Sequence, residues 1–575
     1  MAVDTQLGLA FDIDGHDPDL TPVRFSGTEE ISRLYRYDID FVSHDDRVDL
    51  EALLLARACL TISLYDRTRQ VNGIITEAQI GEQTATGAFR YRLVLEPQLF
   101  LLTLSRQSQI YGSDEPLTVV DVVRQEVTGA DASGPTQQSA ARLPLDRFDD
   151  SLLTGFLRDG GGDGDTGRAA GNKNYPKRDY IVQYRETDFD FVSRLLEHYG
   201  IFYYFRQTEQ GECLVLGDAD TCFGEVEDRT AIPFRPARGM NAGTTASIQR
   251  LTGTLRPRAQ KVVLRDYNWR RPTDPLLAED VIDDRGHGIL CDYGDHFRDS
   301  GEGAAFARVR AEAEACQARQ VTGAGDHLGF AAGHLFRLDE HFRSDANTDY
   351  LVVKVDHEGA VTGYEDLGGV EGGRIAPGYR NRFTALPHPA RFRPARRTPK
   401  PHVTGLITGH VDGGADPNRA DIDDYGQYKV RLPFDLRGVG DAKASRFVRK
   451  AEPYGGAKNA GKTGHQGMHF PLVKDTEVVL SCINGDPDRP VIAGAMPNAR
   501  AKSMVSRTNH TKNMMRTSSG IRMEFDDRLA QAPAGADPTQ HRAQAPAMPR
   551  EEPTVALTLG GFPAIQHQQQ DGGNA

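Results

Sequence analysis

The sequence predicts a mainly β, multi-domain protein with a few short helices. Alternation of apolar and polar residues, as in the run 89–95, is typical of half-buried strands and recurs along the chain. Helical spacing is found in three short stretches, near 119–127, 187–199 and 301–318. A chain of 575 residues is long enough for three or four domains.

Charge and composition argue against several classes of partner and location. The net charge of −13 disfavours binding to the phosphate backbone of a nucleic acid. The longest apolar patches, 50–64 and 93–104, are interrupted by charges and fall short of the ~20 residues that span a bilayer. Residues 1–14 lack both the basic region and the apolar region of a signal peptide. We therefore expect assembly in the cytoplasm, without a stable membrane anchor.

The six cysteines have no paired spacing along the chain. Scattered cysteines of this kind fit buried free thiols in a reducing cytosol better than a disulfide scaffold.

Residues 1–135 are predicted to form a first β-domain. The runs 71–75 and 89–95 are expected to be strands. Thr118 and Asp121 have the spacing of a capping box and predict a short helix over 119–127.

The stretch 179–205 predicts strand, helix and strand in succession. Thr187 is placed to cap the helix, with Asp190 three residues later, and Gly200 to end it. A helix of three turns is not stable alone in water, so its apolar face must pack on its surroundings. That face is formed by residues at helical spacing, namely Phe189, Val192, Leu195, Leu196 and Tyr199.

A second domain is predicted over 136–385, followed by a linker over 386–401. The domain includes a Gly- and Asp-rich loop, 159–174, and a helix over 301–318. Five prolines between 387 and 401 exclude a helix or a central strand, so the linker is expected to be extended. Its positive charge predicts an acidic neighbour.

Residues 402–497 predict a small five-stranded barrel of the OB-fold type. Tyr428 alternates with charged neighbours and is expected to face inwards. The five expected strands are 403–411, 427–434, 447–450, 477–482 and 491–493.

Beyond residue 497, two short amphipathic strands are predicted before a flexible tail at 568–575. Two strands cannot bury their apolar faces alone, so we expect other chains to cover them. Three copies around a threefold axis would supply that cover. The apolar positions are Ile521, Met523 and Phe525 in one strand and Val555, Leu557 and Leu559 in the other.

Several strings resemble the VgrG family, the trimeric spike proteins of type VI secretion systems and related contractile injection machines. The most specific are 182–205 (VQYRETDFDFVSRLLEHYGIFYYF) and 485–494 (GDPDRPVIAG), and 25–40 and 425–435 also resemble the family. The resemblance implies β-barrel-like hub domains, an OB-fold barrel and a short trimeric β-prism or β-helix spike over 498–575.

The resemblance also implies partners and a mechanical role. The homotrimer would form a pseudo-sixfold base on the hexameric inner-tube protein of the Hcp class, among baseplate components. A PAAR-type tip protein would cap the spike, and effectors would travel with it. The spike would puncture a target membrane as the particle is ejected from the cell.

No catalytic or cofactor-binding residue is predicted. The residues expected to matter are packing residues of the hub, barrel and trimer: Phe189, Leu195, Tyr203, Tyr428, Ile521, Met523, Phe525, Val555, Leu557 and Leu559. A metal held by three copies of His567 at the spike tip is kept as an alternative to no metal.

Two further motifs resemble ligand-binding sites but are not predicted to bind a ligand. The run 456–463 matches G-x-x-x-x-G-K-[ST], but its glycine-rich surroundings do not predict the helix that a phosphate-binding loop requires. His287, Cys291 and His296 are metal-ligand types, but their spacing fits no standard zinc module.

Two alternative functions stay open. One is the spike of an extracellular contractile injection particle or a phage-like tail. The other is a peptidoglycan-cleaving tail enzyme, although neither G-x-S-x-G nor H-E-x-x-H occurs.

Overall fold

The computed structural model describes residues 7–84, 87–113, 115–131, 134–135, 143–156, 175–226, 231–236, 246–363, 377–389, 391–414, 421–435, 443–456, 466–527 and 554–558. The Gly-rich loop 159–174, Leu559 and His567 lie outside these residues, as do the side chains of Val555 and Leu557.

Strands dominate the first third of the chain, as the alternating pattern predicts. Its elements are β1 (Gly8–Ile13), β2 (Thr21–Glu30), β3 (Arg36–Ser43), α1 (Leu50–Leu53), β4 (Arg57–Leu64), β5 (Arg67–Gln83), β6 (Phe89–Glu96), β7 (Arg106–Tyr111), α2 (Val119–Thr128), β8 (Ala130–Asp131), β9 (Gly134–Pro135) and β10 (Phe148–Asp149).

The middle of the chain contains the two longest helices. Its elements are β11 (Ile181–Thr187), α3 (Asp188–Tyr199), β12 (Phe202–Thr208), β13 (Gly211–Gly217), β14 (Gly224–Glu225), β15 (Ile232–Pro233), β16 (Ile248–Leu255), β17 (Lys261–Asp266), β18 (Leu276–Val281), β19 (Ile289–Tyr293), α4 (Ser300–Ala315), β20 (Arg319–Gly325), β21 (His334–Asp339), β22 (Asp349–Ala360) and β23 (Gly378–Pro387).

The described residues in the last third of the chain also form strands. They are β24 (Leu406–Val411), β25 (Tyr428–Arg431), β26 (Phe447–Lys450), β27 (Gly455–Gly456), β28 (Gln466–Gly467), β29 (Glu477–Cys482), β30 (Pro490–Ala495), β31 (Lys512–Arg516), β32 (Arg522–Asp526) and β33 (Thr554–Thr558).

One 13-stranded sheet runs through both segments that the sequence assigned to separate domains. Its main path is β1-β4-β5-β6-β3-β2-β22-β23-β20-β16, with β14, β15 and β21 attached beside it. Strand β2 pairs antiparallel with β22, which follows it by more than 300 residues. The predicted boundary at 135/136 therefore does not separate two sheets. The pairing of β2 with β22 could not be predicted, because it leaves no local signal in the sequence.

Helices α2, α3 and α4 share one hydrophobic core. Thr118 and Asp121 form a complete capping box at α2. Thr187 caps α3 by accepting a hydrogen bond from the Asp190 N–H, and Gly200 ends the helix at φ 71°. A glycine is favoured there because other residues rarely adopt that left-handed conformation. The shared core includes Val123, Phe191, Leu195, Tyr203 and Phe306.

The strands on either side of α3 belong to different sheets. Strand β11 pairs with β7, whereas β12 pairs with β13. The predicted strand–helix–strand unit therefore connects two layers of the hub. Leu195 and Tyr203 are buried in its core, whereas Phe189 is only partly buried against it.

Strands β24, β25, β26, β30 and β29 close into a barrel, in that order. Tyr428 is buried inside with Val430, Val478 and Ile492. The inward position of Tyr428 follows from alternation along β25, since its neighbour Lys429 is only partly buried.

The C-terminal strands form a three-stranded antiparallel sheet, β31-β32-β33. Phe525 lies opposite Val555 in register, and Met523 lies opposite Leu557. The two predicted strands therefore pair with each other within one chain, and β31 was not predicted.

Candidate functional site: the junction of hub and barrel

The barrel rests on the hub through strand β11, whose Val182 peptide is held on both sides. The Val182 N–H donates to Asp488 Oδ1 at 2.7 Å, and Arg194 Nη2 donates to the Val182 carbonyl at 2.8 Å. Arg194 also pairs with Glu186 at 2.8 Å, with both side chains buried. The two stretches that carry the family resemblance, 182–205 and 485–494, therefore contact each other directly.

Lys400 closes this network from the linker. Its Nζ lies 2.6 Å from Asp486 Oδ1 and 2.6 Å from Asp488 Oδ2. Burial opposes the charge on each group, yet the carboxylates raise the pKa of Lys400, and Lys400 and Arg194 lower the pKa of Asp488. The junction is thus an ionised cluster, in which loss of one member would leave an uncompensated charge.

The rest of the linker lies along carboxylates of the hub, as its positive charge predicts. Arg393 Nε lies 2.7 Å from Glu312, and Arg396 Nη1 lies 2.9 Å from Asp295. The Glu197 carboxylate accepts hydrogen bonds from the backbone N–H groups of Arg397 and Thr398, both at 2.8 Å. Side-chain contacts therefore hold this extended segment without secondary structure.

An apolar contact lies beside the ion cluster. Ile110, Tyr180 and Val182 of the hub belong to the same hydrophobic cluster as the barrel core. The rings of Tyr184 and Phe434 meet edge to face across the junction, with centroids 5.5 Å apart. This shared cluster packs the barrel and the hub against each other.

The three candidate metal ligands, His287, Cys291 and His296, do not form one group in the structure. Cys291 is exposed, and among the described residues His296 groups instead with Asp486 and Asp488. The Lys400 ammonium already neutralises those carboxylates. A cation would have to displace it, so this donor set fits a metal poorly.

The motif at 456–463 begins in a β-hairpin. Gly456 pairs with Gln466 across β27 and β28. A phosphate-binding loop needs a helix directly after it, whereas Gln466 lies in a strand. This geometry argues against nucleotide binding by the motif.

All six cysteines are unbonded. Cys213, Cys222 and Cys482 are buried, as predicted for free thiols, but Cys291 is exposed on β19. Among the described residues, no helix combines the length and apolarity needed to cross a bilayer.

The C-terminal sheet leaves apolar side chains at the surface of the chain. Ile521 is 41% exposed and Phe525 is 37% exposed, while Met523 is partly buried. Met515 on the neighbouring strand is 40% exposed. These residues form a small apolar surface that the described part of the chain leaves exposed.

Sequence reasoning missed the residues of the junction network. The string at 485–494 was recognised as specific, but the roles of Asp486 and Asp488 were not predicted. The signal available in the sequence was a pair of acidic residues set among glycine and prolines, together with a basic linker earlier in the chain. Only the fold shows that Lys400 is the partner.

Comparisons with known proteins agree with this architecture. The phage tail baseplate hub (GPD) family matches residues 28–363, more than half of the chain. The type VI secretion system spike protein VgrG1a of Pseudomonas aeruginosa is 30% identical over 485 residues, covering 83% of this chain and 67% of that protein. The chain belongs to the VgrG family.

Other VgrG relatives are longer than this chain. VgrG1b of P. aeruginosa is 29% identical over 83% of this chain, which covers 58% of that protein. The actin cross-linking toxin VgrG1 of Vibrio cholerae is 26% identical over 94% of this chain, which covers 46% of that protein. The chain spans about half to two thirds of the length of these relatives.

Solved structures share the VgrG fold. The Escherichia coli c3393 protein, a type VI secretion component with similarity to the phage T4 tail proteins gp27 and gp5, superposes with a TM-score of 0.56 at 22% identity. That match covers 85% of this chain and all of the other. The half-lidded Francisella PdpA–VgrG complex matches with a TM-score of 0.53 at 10% identity, over 92% of this chain and 86% of the other.

Proposed function

We propose that three copies of this VgrG chain form the spike and hub at the tip of the inner tube of a contractile injection system. The observation that carries the trimer is the exposed apolar surface of the C-terminal sheet, formed by Met515, Ile521 and Phe525. Hydrophobic side chains gathered on a short sheet favour a covering partner. Copies of the same sheet around a threefold axis supply one of matching chemistry.

The proposed work is mechanical, without catalysis by this chain. A spike that enters a membrane must resist deformation under load. The packed and ionised junction at Val182, Lys400 and Asp488 would transmit force from the hub to the barrel as one body. Strands of a closed prism would have no free edges to pair elsewhere.

The partners proposed for the trimer follow from family membership. The hub would dock on the hexameric Hcp-class tube among baseplate components, and the spike would carry a PAAR-type tip protein and effectors. Assembly would take place in the cytoplasm, and contraction would eject the trimer. The variant of this proposal is an extracellular injection particle or a phage-like tail.

Native mass spectrometry and negative-stain imaging of the purified chain test the proposal. The expected species has a mass of about 190 kDa, three times the 63.2 kDa chain, and appears as a threefold needle on a ring. A monomer at micromolar concentration would contradict the trimer. Cleared zones in a peptidoglycan zymogram would instead favour the tail-enzyme alternative.

A further inference from the structure

The single tryptophan of the chain lies between two guanidinium groups where the hub meets the barrel. Arg270 lies 4.6 Å from the centroid of the Trp269 ring, and Arg449 lies 5.5 Å from it. The Tyr425 ring meets Trp269 edge-on, with centroids 5.3 Å apart. Trp269 and Arg270 follow β17 of the hub, whereas Tyr425 and Arg449 belong to the barrel, so both parts of the protein build this feature.

A groove beside Trp269 is lined by positively charged side chains, and no carboxylate of the described residues lines it. Its five arginines are Arg270, Arg298, Arg446, Arg449 and Arg489. Two carboxylates lie behind them, where Asp179 pairs with Arg298 and Arg446, and Asp266 pairs with Arg489. Five positive charges against two negative charges leave the groove positive on a chain with a net charge of −13.

Arg270 and Arg449 carry this excess charge. Neither forms an ion pair with a carboxylate in the part of the chain that the structure describes; their contacts are with the Trp269 ring. Burial lowers the pKa of Arg449, and the guanidiniums of Arg446, Arg489 and Arg270 lower it further. An incoming carboxylate would relieve this repulsion and would accept paired hydrogen bonds from a guanidinium.

Exposed aromatic rings border the same groove. Tyr267 and Tyr293 line it, Tyr425 packs on Trp269, and each is at least half exposed. Tyrosine, tryptophan and arginine are the residues most often found at the energetic centres of protein interfaces. The lining residues enclose a recess of about 70 Å³, which has room for a few water-sized groups. A carboxylate group is of that size.

We infer that the groove around Trp269, Arg270 and Arg449 binds an acidic polypeptide segment of a partner protein. Arginines would pair with side-chain carboxylates, and the tyrosine and tryptophan rings would contact the peptide backbone and stems. A single-stranded nucleic acid also uses arginine and aromatic contacts. The small recess and the strongly negative chain favour the peptide, because each base needs an open aromatic face and each phosphate meets the repulsion of the whole protein.

The lone tryptophan supplies a direct test on the full-length protein. A fluorescein-labelled hepta-glutamate peptide is titrated into it, with peptide anisotropy and Trp269 emission as two readouts. The expected result is saturable binding that weakens with added salt. The double variant R270Q/R449Q should bind at least tenfold more weakly, whereas R47Q/R337Q, which removes two charges elsewhere on the surface, should bind as the parent does.

Circular dichroism and native mass of each variant establish that it is folded as the parent is. Equal binding by R270Q/R449Q, or no saturable binding by the parent, would overturn the inference. Tighter binding of labelled oligothymidylate than of hepta-glutamate would also overturn it, in favour of a nucleic-acid site. This inference does not depend on the trimer, since the groove is built within one chain.

Discussion

The Lys400 ammonium lies 2.6 Å from the Asp488 carboxylate, which also accepts a hydrogen bond from the backbone of Val182. Three distant parts of the sequence, the hub strand, the linker and the barrel, thus meet at one buried carboxylate.

Replacing Asp488 with alanine should destabilise the junction. Lys400 would keep only one carboxylate and the Val182 N–H would lose its acceptor, so the loss should be about 3–5 kcal/mol in the free energy of unfolding. Urea unfolding measures it, and limited proteolysis should reveal earlier cleavage between hub and barrel. D424N, at an exposed aspartate of the barrel, is the control. A loss below about 1 kcal/mol for D488A would contradict the assigned role.

Acid should destabilise the hub through the buried His357. Burial and, after it, the charge of Arg69 lower the pKa of His357 from 6.5 to about 3, although Glu29 acts in the opposite direction. The folded pKa lies below the unfolded one, so the unfolded chain binds the extra proton, and stability is lost as pH falls below about 6.5. Between pH 7 and pH 5 this group should cost about 2 kcal/mol.

Unfolding by urea at pH 7 and pH 5 measures this dependence. H357Q should lose less stability between these values than the parent, whereas H16Q, at an exposed histidine, should behave as the parent does. Equal losses in H357Q and the parent would refute the assignment.

Glu29 should extend the acid sensitivity to lower pH. Burial opposes its ionisation, but Arg69, His357 and Tyr37 together lower its pKa from 4.5 to about 2. A depressed carboxylate pKa stabilises the fold above about pH 4.5, and this contribution is lost as pH falls towards 2. E29Q should show a flatter profile of unfolding free energy between pH 4.5 and 3. An unchanged slope in that window would show that folding does not lower the pKa of Glu29.

An aspartate in place of Phe525 should weaken the trimer. The substitution places a charge on the apolar surface formed with Met515 and Ile521, where a neighbouring copy would have to desolvate it. Native mass spectrometry should show a shift from about 190 kDa towards the 63.2 kDa chain. S518D adds the same charge in the exposed hairpin turn and should stay trimeric. A trimer of F525D with the parent's stability would place the interface elsewhere.

Two positions on helix α3 should respond differently to truncation. Leu195 is buried in the shared core, so L195A should cost about 2–5 kcal/mol of unfolding free energy. Phe189 is only partly buried, so F189A should cost less despite its larger side chain. Chemical denaturation of both variants gives the comparison. A larger loss for F189A would indicate that another chain covers this face.

Local patterns predicted much of the architecture. Alternation around Tyr428 indicated a half-buried strand, and Thr187 and Gly200 marked the ends of a helix, because such signals depend on neighbours in the chain. The family membership that the resemblance implied was confirmed, although the resemblance did not explain what its two strings do in the fold.

The sequence by itself determined several of the strands, the capped helices, the barrel and the charge of the linker, because periodicity, capping and composition are local properties. Only the tertiary structure decided that β2 pairs with β22, that Lys400 meets Asp488, and that Arg270 and Arg449 flank Trp269. These contacts join residues far apart in the chain, and their free energy arises only when folding removes water from both partners at once.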